Sequence, residues 1–286
     1  MAGIEAKTAF VFAGGGSLGA VQVGMLHALL EAGLRPDFVV GSSVGAINAA
    51  YFAGAPDIAG VTRLAEIWMR LRRADIFPLA LSTAFSLFRH PESLVDPAGL
   101  RRLIEGNLTF EKLEDACVPL HVMATDPQGV GVRLSSGSAA DAILASAAVP
   151  AIFPPVSIDD RRLMDGAIAA NTPLRLAVEL GAKRIVVLPT GYACALKDPP
   201  KGVIAKALHA ITLLIAWQLM HELDAIPHGI EVHMAPALCP LDVSPFDFSA
   251  SGQLIDRAMR STQQWIDAGG LTRQAQSREL AAHHHD

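Results

Sequence analysis

The stretch Phe38-Val39-Val40-Gly41-Ser42-Ser43-Val44-Gly45-Ala46-Ile47-Asn48-Ala49-Ala50 decides how this 286-residue chain folds. Phe38, Val39 and Val40 read as the end of a buried strand, because an unbroken apolar run bounded by turn residues suits a strand covered on both faces. Gly41-x-Ser43-x-Gly45 follows, and then a helical run of small residues. A serine on so sharp a strand-to-helix turn is pushed out where a substrate reaches it. The glycines two residues to either side keep bulk out of a turn in which side chains would collide. Ala46, Ala49 and Ala50 let the helix lie close to its sheet. Ser43 is therefore the first candidate nucleophile.

Outward from this stretch, strands and helices alternate. Residues 9–13 form the first expected strand, and Gly14-Gly15-Gly16-Ser17-Leu18-Gly19 follows it. Ser17 is expected to cap the next helix, which carries Val21, Met25, Leu26, Leu29 and Leu30 at helical spacing. Residues 37–41 form the second strand, parallel to the first. Further strands are expected at 119–125, with a hairpin partner at 130–134, and on either side of a tight Asp159-Asp160 turn. Residues 183–188 are the clearest buried strand, and 230–234 the last. Helices are expected at 62–71, 97–105, 139–148, roughly 202–223 and 249–268, with one starting at Pro173 under a Thr172 cap. This order predicts an α/β fold, a three-layer α/β/α sandwich with a mainly parallel central sheet. No linker or repeat divides the chain, so a single domain over residues 1–286 is expected.

Composition narrows the function. Hydrophobic residues make up 51% and charged residues 18% of the chain, which supplies a sizeable core and argues against disorder. The formal net charge is −5 and no long basic run exists, so nucleic acid is a poor partner. Cys117, Cys194 and Cys239 are far apart and show no metal-ligand spacing; they read as buried thiols of a reducing compartment. The first seven residues lack the apolar core of a secretory leader. Residues 203–220 are apolar but interrupted by Lys206 and His209, which argues against a membrane span. A cytoplasmic location is expected, with or without peripheral contact to a membrane. The oligomeric state is left open.

The glycines suggest chemistry. A second GxSxG, Gly15-Gly16-Ser17-Leu18-Gly19, competes with the first. Three consecutive glycines suit another task, since such a backbone can turn N–H groups toward an anion. Ester cleavage places negative charge on the carbonyl oxygen, and losing one donor there typically costs about 3 kcal/mol of barrier. Gly14, Gly15 and Gly16 are assigned to the oxyanion hole, joined by the N–H of Val44, just after Ser43. A serine hydroxyl also needs a base. Among ten histidines, His233 near the last strand is the best placed. Asp165 in Leu163-Met164-Asp165-Gly166-Ala167 is the alternative, at the end of a strand and before a glycine that permits close backbone approach. The residues alone leave His233 and Asp165 both open.

Taken in order, Gly14-Gly15-Gly16-x-x-Gly19, Gly41-x-Ser43-x-Gly45 and Asp165-Gly166-Ala167 resemble the patatin-like phospholipase family, as does Ala145-Ser146-Ala147-Ala148-Val149-Pro150-Ala151-Ile152-Phe153-Pro154-Pro155. The likeness runs from about Phe10 to Leu188. It implies a serine acyl hydrolase with a Ser43–Asp165 dyad, an oxyanion hole at Gly14, Gly15 and Gly16, and a lipid or acyl-ester substrate. It implies no catalytic histidine, metal or cofactor. Relatives often carry Arg or Lys where this chain has Leu18, which removes a charge suited to an anionic headgroup and leaves the dyad intact. Residues 76–88 and the helix around Leu213, Leu214, Trp217 and Met220 read first as core, and second as an apolar lid and a lipid-facing surface. Two rival readings are a nicotinamide-dinucleotide oxidoreductase, from Gly14-x-Gly16-x-x-Gly19, and a non-catalytic lipid-binding protein on the same fold.

Overall fold

The computed structural model describes residues 7–77, 95–191, 203–239, 241, 243–244 and 247–277. Among them the strands are β1 (Lys7–Phe12), β2 (Phe38–Ser42), β3 (Leu120–Thr125), β4 (Gly131–Leu134), β5 (Val156–Ile158), β6 (Arg161–Asp165), β7 (Ala182–Leu188) and β8 (Glu231–Met234). They join one sheet in the order β5-β6-β3-β2-β1-β7-β8, with β4 hydrogen-bonded to β3 as a hairpin. β3, β2, β1, β7 and β8 are mutually parallel, while β4, β5 and β6 run antiparallel to their neighbours. The expected mainly parallel sheet is present.

Alternation along the strands splits the core into two layers. Phe10, Phe12, Val39, Val186 and Leu188 face one layer. It is covered by α1 (Ala20–Glu31), α2 (Val44–Gly54), α3 (Ile58–Arg70) and a late helix, Ser251–Asp267. Ala9, Val11, Phe38, Val40, Ile185 and Val187 face the other, under helices Leu174–Glu179 and Val203–Asp224. Both faces are covered, so the central strands read as continuous apolar runs. The remaining helices are α4 (Arg73–Ile76), α5 (Ala98–Glu105), α6 (Ala139–Ser146) and α7 (Ala167–Ala170), which makes the three already named α8, α9 and α10 in chain order: Leu174–Glu179, Val203–Asp224 and Ser251–Asp267.

Most local expectations hold. Val21, Met25, Leu26, Leu29 and Leu30 are all buried. Asp159 and Asp160 form the tight turn, both with positive φ, 47° and 61°, as a two-residue hairpin connection requires. Two caps do not hold. Ser17 lies inside a 3-10 turn, Gly16–Gly19, so Gly19 and not Ser17 flanks α1, and the Ser17 hydroxyl donates to the Ser244 carbonyl at 3.0 Å. Thr172 does not cap α8. The amides of Leu174 and Arg175 donate to Glu222 Oε2 of α9 at 2.9 and 3.3 Å, a carboxylate placed where the helix dipole favours one. The cysteine reading is also corrected: Cys117 is exposed and Cys239 is disulfide-bonded. Of the 76–88 stretch, Ile76 is buried and Phe77 stacks on Phe153; the rest lies outside the described residues.

Candidate active site

Ser43 stands between β2 and α2 with φ 55° and ψ −129°. Such backbone costs a non-glycine residue about 1–3 kcal/mol and persists only where its surroundings enforce it. They do so here. A Cβ on Gly45 would strike the carbonyls of Phe12 and Ala13, and one on Gly41 would strike the Gly45 carbonyl and the Ala46 backbone. Only glycine fits at either side of the turn, so the helix can start directly against the end of β1.

Asp165 ends β6 and is 3% exposed; Ser43 is 9% exposed. The Ser43 hydroxyl donates to Asp165 Oδ2 at 2.7 Å, across 122 positions of chain. The other carboxylate oxygen accepts the Ala167 N–H at 2.8 Å. The main chain of Asp165 is held as well: its N–H donates to the Ala148 carbonyl at 3.0 Å, and its carbonyl accepts the Thr125 hydroxyl at 2.7 Å. Gly166 has no room for a side chain, since a Cβ would strike the Met123 carbonyl. Burial pushes the Asp165 carboxyl up to about 6, against the pull of the Ala167 amide and the Ser43 hydroxyl. A buried carboxylate with so few partners is a stronger base than a free aspartate.

Ser146, the last residue of α6, ties the two sides together. Its hydroxyl accepts the Ser43 N–H at 2.9 Å and donates to the Met123 carbonyl, and its own carbonyl accepts the Gly166 N–H at 3.1 Å.

The glycine loop borders Ser43, with the Gly14 backbone beside the Ser43 Cβ. The Gly14 N–H is already spent on the Asn171 carbonyl at 3.0 Å, which corrects its expected role as an oxyanion donor. The amides of Gly15, Gly16 and Val44 have no acceptor among the described residues. Gly16 has φ 60°, a conformation that glycine adopts at no steric cost. A buried polar network fixes both ends of this loop. Gln22 Nε2 donates to the carbonyls of Ala13 and Leu188 at 2.8 and 2.9 Å. Asn48 Nδ2 donates to Gln22 Oε1 and the Gly19 carbonyl at 2.8 and 2.9 Å, and Asn48 Oδ1 accepts the Trp68 indole N–H at 2.9 Å.

The structure thus brings Ser43, Asp165 and the glycine loop together and leaves His233 out. His233 Nδ1 lies 2.9 Å from the Arg273 carbonyl and Nε2 3.5 Å from Glu231, and no described imidazole bonds to Ser43 or Asp165. The dinucleotide reading also lacks its acidic residue. Asp37 precedes β2 and accepts the Thr8 N–H at 2.6 Å, while the strand ends in Gly41 and Ser42. Ser146, Thr125, Gln22, Asn48 and Trp68 were not singled out from sequence. Asn48, inside the deciding stretch, had the one available signal: an amide on an otherwise apolar helix start needs a partner.

Residues 10–178 match the family described as Patatin-like phospholipase. The chain is 28% identical over 186 residues to Patatin-like phospholipase domain-containing protein 7 of Rattus norvegicus, covering 64% of this chain and 13% of that protein. It is 28% identical over 184 residues to Neuropathy target esterase sws of Drosophila melanogaster, covering 63% and 13%. The chain therefore spans 13% of the length of these relatives. Among solved structures it is similar to VipD from Legionella pneumophila, with a TM-score of 0.47 and 16% identity, covering 92% of this chain and 67% of that one. It is similar also to human GIVD cytosolic phospholipase A2, with a TM-score of 0.47 and 12% identity, covering 93% and 59%. By the match over residues 10–178, the chain belongs to the patatin-like phospholipase family.

Proposed function

We propose that the chain is a serine acyl hydrolase that cleaves carboxylic esters of lipids through an acyl-Ser43 intermediate. The observation that carries this reading is the 2.7 Å bond from the Ser43 hydroxyl to a buried Asp165 carboxylate, on a strained strand-to-helix turn beside amides that have no acceptor among the described residues. Family membership supports the same chemistry.

In the first half-reaction Asp165 takes the Ser43 proton while Oγ attacks the ester carbonyl. Charge developing on the carbonyl oxygen is met by the amides of Gly15, Gly16 and Val44, which need not reorganise as the charge forms. Gly14 shapes the wall beside Ser43. Asp165 then protonates the leaving alcohol, breaking the ester bond. Water, deprotonated by the same carboxylate, attacks the acyl-enzyme; the acid leaves and Ser43 regains its proton. Desolvation is what makes Asp165 fit for this work, because a group that titrates near 6 is ionised at neutral pH yet gains more from the proton than a solvated aspartate.

A fluorophosphonate probe tests the nucleophile. The parent chain should be labelled at Ser43 and the Ser43→Ala chain should not. A parent chain that folds and takes no label would instead support the non-catalytic lipid-binding reading. Esters of increasing chain length, run beside phospholipid and lysophospholipid, then sort the substrate class.

A further inference from the structure

α9 has an unusual outer surface. Eight large apolar side chains are exposed among the described residues, and Ile211, Leu213, Leu214 and Trp217 of α9 account for four of them. Leu214 is 70% and Trp217 61% exposed. At 100° per residue these four fall on one continuous arc, and buried Leu219 marks the opposite side. α10 shows what an ordinary covering helix looks like: it buries Leu254, Ile255 and Ala258 and exposes Gln253, Asp256, Arg257 and Arg260. The sequence from Val203 to His221 contains no acidic residue, and Lys206 is its one lysine or arginine. The reading of this helix as core therefore fails on its outer arc.

The arc is continuous with the candidate site. Gln218 Nε2 donates to the carbonyls of Ile168 and Ala169 at 3.4 and 2.8 Å, and Gln218 Oε1 accepts the Asn171 N–H at 2.9 Å. Asn171 in turn holds Gly14, and Ile168, itself 46% exposed, follows the Asp165-Gly166-Ala167 segment. The position of α9 and the rim of the site are set by the same hydrogen bonds.

We propose that the arc of α9, extended by Ile168, docks on the surface of a neutral phospholipid assembly and turns the Ser43 site toward it. The proposal rests on the hydrolase reading only for the identity of the occupant. An exposed apolar face of this size marks an interaction surface. An indole among aliphatic side chains suits the boundary between headgroups and acyl chains. No helix of the described residues is long and apolar enough to cross a membrane, so α9 lies along the surface. A second copy of the chain seated on this arc would crowd the rim through which an ester must pass.

The test uses the full chain carrying Ser43→Ala, so that vesicles stay intact, and phosphatidylcholine vesicles as the probe. The chain should co-sediment with them, and 1 M salt should not release it, because apolar contact is not screened. Leu214→Glu and Trp217→Glu should each weaken vesicle binding at least tenfold. Met69→Glu, a charge on an exposed apolar residue away from α9, should leave binding unchanged. In the active chain, Leu214→Glu should hold turnover of a short-chain soluble ester within twofold while turnover of vesicle phospholipid falls at least tenfold. Vesicle binding by a chain that hydrolyses no ester would uphold the docking face and sink the hydrolase reading. Unchanged vesicle binding in the α9 variants, or ester turnover without any vesicle binding, overturns the docking face. So does a concentration-dependent dimer that Leu214→Glu dissociates while the parent ignores vesicles.

Discussion

The two sides of the proposed dyad, Ser43 and Asp165, are built in different ways. Ser43 follows β2, which lies between two parallel neighbours and is buried along its whole length. Asp165 ends β6, which meets β3 through just two residue pairs and has the three-residue β5 as its other partner. Ser43 is placed chiefly by sterics of the sheet interior: two glycines with no room for a Cβ, and a turn closed against β1. Asp165 is placed chiefly by hydrogen bonds, from the distant Thr125 and Ala148 and from its neighbour Ala167. Shape dominates on one side, with a single bond from the Ser43 N–H to Ser146 Oγ, and polar contacts dominate on the other, so they should fail differently.

The largest effects belong to the proposed dyad itself. Ser43→Ala and Asp165→Asn should each lower turnover of a soluble ester by at least ~10³-fold, as loss of a nucleophile or its base does. Their stabilities should part. A buried carboxyl raised from 3.8 to about 6 binds its proton more tightly when folded, so stability falls as pH rises between those values and the full cost is present above 6. That cost is up to about 3 kcal/mol at 1.36 kcal/mol per pH unit. Asp165→Asn should therefore be more stable than the parent at pH 8, with the gain gone below pH 4, in paired denaturant titrations. A gain that is the same at both pH values would refute the burial account. The parent's kcat/KM should fall on the acid side with a midpoint near 6.

Next come the glycines. Gly45→Ala forces a Cβ onto two carbonyls of the central sheet and should cost more than about 3 kcal/mol, read as a large drop in Tm. Gly166→Ala strikes the Met123 carbonyl at a sheet margin that can shift. It should cost about half as much stability while lowering turnover at least tenfold, because Asp165 moves. Equal Tm losses would erase the distinction drawn here.

Polar contacts give smaller changes. Asn48→Leu breaks three buried hydrogen bonds and strands Gln22 and the Trp68 indole, at about 2–3 kcal/mol. Thr125→Val loses the single bond to the Asp165 carbonyl, at about 1 kcal/mol, with turnover down a fewfold. Smallest is Asp160→Gly. It relieves a positive φ of 61° in the β5–β6 turn and should raise stability by about 0.5–1 kcal/mol without touching turnover, as thermal melts and ester assays would read together.

Legibility followed the same division. The strand, turn and helix around Ser43 lie in thirteen consecutive residues, so sterics that fix them are visible in the sequence. The Asp159-Asp160 turn was legible for the same reason. The caps failed because the groups that matter, Ser244 and Glu222, are distant in the chain. Gln22, Asn48 and Trp68 are spread over 47 positions, and Ala13 and Leu188, whose carbonyls Gln22 holds, over far more. Residues alone left His233 level with Asp165 as the base, because nothing local says which one folds back onto Ser43; the family likeness, not spacing, favoured Asp165. Hydropathy marked the Leu213–Met220 stretch as apolar but could not say which side faced out.

Ser146 has a consequence for how this scaffold can change. It holds the Ser43 amide with its side chain and the Gly166 amide with its carbonyl, so one residue sets the spacing of both partners. The spacing depends on the few residues of the intervening chain that make these bonds, not on the length of the loops between them. Segments spliced into the Asp126–Val130 bend would lengthen the protein while Ser43 and Asp165 stay where they are.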